Sequence, residues 1–221
     1  MLKMYSPKKA QKIIRRSMGT IRSLSDQYEL PCACLQAILY QEITQMDFGD
    51  FLADLAVRFY WARYRLRRRL RKKEAPRAGG VLHKKDSSTG YAQIFAYVGI
   101  RAVRFGLQKN LVTCEALGLP ADHPLRPENP DDLCLIWHRL HRDPDFNLHL
   151  AALNLLSAAE EMTGRIDFPS YTPEELQLIF TRYNANARHI TPYGETVYGH
   201  YLAYQAQRKD PPAEATEKSA S

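Results

Sequence analysis

The sequence is poor in the features that announce most function classes. It has four cysteines in 221 residues, at positions 32, 34, 114 and 134, and no Cys-x-x-Cys pair, so a disulfide framework is not indicated and free thiols are expected. His138 and His141 lie near Cys134, but the spacing follows no standard zinc pattern. Gly-x-Ser-x-Gly, Gly-x-x-x-x-Gly-Lys and Gly-x-Gly-x-x-Gly are all missing, which leaves serine-hydrolase and nucleotide-binding readings without a handle. No apolar run is long enough to span a membrane, and the first thirty residues hold none of signal-peptide length. There is no internal repeat.

What is present is basic charge and helical periodicity. Lys plus Arg number 31 against 24 Asp plus Glu, a formal charge of +7, which points to a polyanionic partner: nucleic acid, an anionic surface or a cell-wall polymer. Ile13, Ile14, Met18, Ile21 and Leu24 recur at helical spacing and predict a basic amphipathic helix in residues 1–30 that packs on the core. Residues 50–73 predict a long helix with Leu52, Leu55, Phe59, Ala62, Leu66 and Leu70 as a core stripe, widened by Val57, Tyr60, Trp61 and Tyr64. Eight of the eleven residues 63–73 are Lys or Arg, a solvated end or a docking face for an anionic polymer. Further helices are expected after Asp131, after Asp145 up to Gly164, after the Thr172–Glu175 capping box, and through Tyr193, Val197, Tyr201 and Tyr204. Residues 208–221 read as a disordered tail. The predicted fold is mainly α, with at most a small β-hairpin or short strand near residues 86–95.

One helix carries the candidate chemistry. Pro31 suits its first position, Leu35, Ile38 and Leu39 share a face, and Glu42, seven residues after Leu35, continues that face near the C-terminal end. Partial desolvation and the negative end of the helix dipole both disfavour ionisation there, as a general acid requires. The blander reading, a boundary residue whose carboxylate reaches water, stands beside it. Downstream, a glycine turn at Thr89 and Gly90 is flanked by polar Ser88 and Gln93.

Glu42, then Ser88, Gly90, Gln93 and Ile94, then Arg182, Tyr183, Asn184 and Ala185, stand in an order that resembles the lysozyme-like superfamily, specifically goose-type lysozymes and lytic transglycosylases. Asn147 and Leu148, followed by Ala151, Ala152 and Leu155, are similar to a further helix of that family. The likeness spans residues 31–204 and departs at Ile43, Ala151 and Asn154 and in a longer interval between Glu42 and Gln93. It implies a catalytic domain over residues 31–207 with the basic helix 50–73 inserted, needing no metal or organic cofactor. The implied activity is cleavage of peptidoglycan glycan strands at the MurNAc-β-1,4-GlcNAc bond, with Glu42 protonating the bridging oxygen. Asp86 is the candidate second carboxylate, or else a loop residue bonding nearby backbone. Asp47 and Asp50 are further carboxylates, read first as helix caps.

In the same reading Tyr91 and Gln93 line the cleft beside Ser88 and Gly90, and Tyr183 and Asn184 support Glu42 or bond an acetamido group. A monomer is implied, made in the cytoplasm and acting at the bacterial wall after release or non-standard export, with residues 63–73 adding affinity for anionic wall polymers. The competing class is a basic all-helical module that binds nucleic acid, or binds glycan without cutting it.

Overall fold

The computed structural model describes residues 3–70, 85–121 and 124–209. Among them are nine α-helices and no β-strand: α1 (Pro7–Arg16), α2 (Met18–Tyr28), α3 (Cys32–Gln45), α4 (Phe48–Arg69), α5 (Ala96–Gln108), α6 (Pro130–Arg142), α7 (Pro144–Thr163), α8 (Pro173–Asn184) and α9 (Pro192–Lys209). The mainly α fold expected from periodicity is the fold observed. Helix α9 runs through Lys209, two residues into the expected tail; the rest of that tail and the end of the basic run, residues 71–73, lie outside the described residues.

Helix α7 is the central shaft, with Leu148, Leu150, Ala152, Leu153, Leu155 and Leu156 all buried, so it is apolar nearly all round. Helices α5 and α8 pack along it, α3 and α8 pack against α9, and α1 and α2 lie against α3. Several ends form as the sequence predicts. Thr172 and Glu175 make a reciprocal capping box on α8, and Gly164 closes α7 in the left-handed conformation at φ 74°.

Other boundaries move. The N-terminal helix is two helices broken at Ser17, whose N–H is drawn to the carbonyls of Ile13 and Ile14. Asp143, not Asp145, caps α7 by accepting from the Phe146 N–H, while Asp145 accepts from Thr20 Oγ1 at 2.5 Å. Asp47 and Asp50 form a capping box on α4. The largest change is the face α4 buries: Ala56, Val57, Tyr60 and Trp61 enter the core, whereas Leu52, Phe59, Leu66 and Leu70 are exposed. Two apolar stripes lie on this helix, and the core takes the one that carries Tyr60 and Trp61. Residues 89–94 form a tight turn closed by a bridge between Thr89 and Ile94, without a hairpin.

Candidate active site

Three segments distant in sequence meet at Glu42. It sits in the last turn of α3, where its carbonyl takes the Met46 N–H at 3.0 Å, and its side chain turns toward α9. There the Tyr193 hydroxyl donates to Glu42 Oε1. Burial pushes the Glu42 carboxyl up to about 7, the Tyr193 hydrogen bond pulls it down, and the negative charge of Asp50 raises it further. The Tyr193 phenol, half-buried beside Glu42, is pushed well above its ordinary value by desolvation and by the neighbouring Glu42 charge, and stays a donor.

Tyr193 is absent from the sequence-derived site, because its place in the stripe of the last helix is the pattern of a core residue. The discriminating signal is next to it. A Cβ on Gly194 would lie 2.2 Å from Thr181 Oγ1 and 2.4 Å from the Gln177 carbonyl, so α9 crosses α8 at a distance only glycine permits. Thr181 Oγ1 also accepts from the Thr191 N–H at 3.1 Å, fixing the start of α9 and with it the phenol over Glu42.

The glycine turn faces this acid and is held from several sides. Gly90 has φ 72°, and a Cβ there would lie 2.3 Å from Asn147 Nδ2 and 2.7 Å from the Leu140 carbonyl. Buried Asn147 spans the turn, accepting from the Ala92 N–H at 2.9 Å and donating to the Thr89 carbonyl at 3.1 Å. The Tyr183 hydroxyl donates to the Ala92 carbonyl at 3.0 Å. Inside the turn Gln93 donates to the Gly90 carbonyl at 2.8 Å and accepts from Ser88 Oγ at 3.0 Å. Gln93 is left-handed at φ 47°, a conformation that costs a non-glycine residue about 1 kcal/mol. Below the turn, Asp54 accepts from Ser87 Oγ at 2.7 Å and Thr89 Oγ1 at 2.9 Å.

Glu42, Ser88, Gln93, Asn154, Tyr183 and Asn184 line one cavity of about 210 Å³. It adjoins two others. One of about 240 Å³ shares Met46, Asp50 and Gln93 with it and adds Gly90 and Tyr91. One of about 230 Å³ shares Asn154, Tyr183 and Asn184 and adds Arg101 and Arg182. The three form a groove with Glu42 in its middle segment. The chain matches no family model, no curated protein and no solved structure.

Of the residues expected at the site, Glu42, Ser88, Gln93, Tyr183 and Asn184 come together in one cavity, and Gly90 and Tyr91 border the next. The Tyr183 hydroxyl bonds the turn, while its ring shares the Glu42 cavity. Asp86 lies elsewhere: its two carboxylate oxygens accept from the Ala96 and Tyr97 N–H groups, at 2.9 and 3.0 Å, capping α5. Burial raises it to about 6 and these backbone bonds hold it down. Asp86 lines none of the three groove cavities; its carboxylate is taken up by backbone, at the start of α5 and at Ser87 beside it, as the loop-residue alternative expected. Asp50 is the second carboxylate that lines the Glu42 cavity.

Proposed function

We propose that this chain cleaves peptidoglycan glycan strands at the MurNAc-β-1,4-GlcNAc bond, as a lysozyme-like enzyme with Glu42 as general acid. The observation that carries the reading is a carboxyl held near pKa 7 by burial in the middle of a groove of three adjoining cavities. A groove of that form suits consecutive sugars of a strand, and a proton held to neutral pH suits protonation of the bridging oxygen. Arg101 and Arg182 at one end offer charge to the carboxylates of a peptide-substituted polymer, although Arg182 is itself paired with Glu161 at 2.7 Å.

The arrangement favours Glu42 acting twice, as acid and then as base. With Asp86 committed to α5, the ionised Glu42 left after protonating the leaving group takes the proton of the muramyl 6-hydroxyl as that oxygen closes on the anomeric carbon, giving a 1,6-anhydro product. Asp50 is the residue that would instead activate water in an inverting hydrolase. Digestion of purified sacculi with mass spectrometry of the released muropeptides separates these. Anhydro-muramyl ends that vanish with Glu42→Gln support the double role, reducing ends that vanish with Asp50→Asn support hydrolysis, and no release by the wild type refutes the enzyme reading.

A further inference from the structure

Helix α4 carries an apolar face that the core does not use. Phe48, Leu52, Phe59, Leu66 and Leu70 are 52%, 48%, 59%, 58% and 61% exposed. At 100° per residue they fall within an arc of about 40°, a stripe along a helix about 33 Å long. Arginines border it on both sides, Arg58, Arg65 and Arg69 on one and Arg63 and Arg67 on the other. The acids of α4 point away: Asp50 is in the capping box and Asp54 is bonded under the glycine turn.

Round α4 from the stripe, between α4 and α6, lies an open cavity of about 600 Å³ lined by Tyr64, Arg65, Arg68, Arg69, His138 and Arg142. Asp131, also at its wall, engages Arg68 and accepts from the Tyr64 hydroxyl at 2.9 Å. Both ring nitrogens of His138 are buried without a hydrogen-bond partner among the described residues. The cavity thus gathers more cationic groups than its one carboxylate offsets.

We propose that α4 is an interfacial helix that seats on an anionic phospholipid bilayer, its apolar stripe in the acyl boundary and the arginines that border it at the headgroup phosphates. The charge pattern selects this occupant. A second copy of the chain would bring two arginine borders together with no acid on either face to offset them. A nucleic acid or anionic wall polymer would neutralise the arginines but leave the stripe in water, whereas a bilayer surface satisfies both. None of the described helices is long and apolar enough to cross a membrane, in keeping with a helix that lies in its surface. Because Asp50 and Phe51 at the start of α4 border the groove, seating would hold the groove at the membrane side of the wall; that consequence rests on the proposed glycosidase, the lipid binding does not.

Flotation of the full chain with phosphatidylcholine vesicles, with and without phosphatidylglycerol, tests it. Binding is expected to the anionic vesicles, weakened by salt. Arg65→Gln with Arg69→Gln should weaken it about twenty-five-fold, and Phe59→Ser with Leu66→Ser about a hundred-fold. Both pairs are exposed, so circular dichroism should be unchanged. Three results overturn the proposal. One is no flotation with anionic vesicles, whether or not the protein binds poly(glycerol phosphate) or duplex DNA. Another is undiminished flotation by both variants. The third is a dimer in sedimentation equilibrium that Phe59→Ser with Leu66→Ser converts to monomer.

Discussion

Replacing Glu42 by Gln should destroy cleavage and stabilise the protein, and the second effect has a magnitude and a pH dependence. The carboxyl is raised from 4.5 to about 7 in the fold, chiefly by burial. A group with a raised folded value contributes its full stability below the unfolded value, and that contribution is lost as pH rises through the folded one. Between about pH 4.5 and 7 the native state therefore holds more protons than the unfolded chain, and stability falls as pH rises. Above pH 7 the ionised carboxylate costs about 3 kcal/mol relative to its protonated form. Glutamine has the same shape, carries no charge and still offers an oxygen to the Tyr193 hydroxyl. Urea unfolding of the two proteins should thus give similar free energies near pH 4.5 and a Glu42→Gln variant more stable by up to about 3 kcal/mol at pH 8. Asp86, raised to about 6, titrates in both proteins and cancels in the difference. A gap that does not widen between the two pH values would refute the desolvated, proton-holding Glu42 on which the functional reading depends.

Tyr193→Phe removes the hydrogen bond that pulls the Glu42 value down, so the basic limb of the pH profile for muropeptide release should move up by about one unit; an unmoved limb would show that the titrating acid is another group. Gly90→Ala places a Cβ against Asn147 and the Leu140 carbonyl at a left-handed position, which should cost about 2–4 kcal/mol in chemical unfolding and disorder the turn that carries Gln93. Asp86→Ala strips the cap from α5 and should lower stability by about 1–2 kcal/mol, whereas Asp86→Asn should leave the ratio of anhydro to reducing products unchanged.

The sequence made the helices legible wherever one apolar stripe met a recognisable cap, as at Thr172 with Glu175 and at Gly164. Glu42, Ser88, Gln93, Tyr183 and Asn184 were legible because their types and order form a pattern even though they lie far apart in the chain. What escaped depends on tertiary choice. Helix α4 has two apolar faces, and periodicity cannot say which one the core takes; the answer came from Tyr60 and Trp61, side chains that looked like the margin of the stripe. Asp86 was placed by its neighbourhood to the glycine turn, while its true partners, the Ala96 and Tyr97 N–H groups, lie ten and eleven residues on and appear once α5 has a defined start. Tyr193 was hidden because nothing in a tyrosine at helical spacing distinguishes a core ring from one whose hydroxyl reaches a carboxylate.

Glu42 and Asp86 are both carboxyls held above their ordinary range by burial, and the contrast between them separates structural from chemical use. Asp86 receives backbone N–H groups from Ala96, Tyr97 and Ser87 and begins a thirteen-residue helix, so its desolvation is offset by bonds that the fold needs. Glu42 receives the Tyr193 hydroxyl and caps nothing; a glutamine would fill its place and relieve the buried charge. Selection for stability alone would remove such a group, since stabilising substitutions are easily found at sites the fold does not require. A half-buried acid that holds no helix end and faces a groove is what the proposed glycosidase requires, since that reaction needs a proton delivered to the oxygen between two linked sugars.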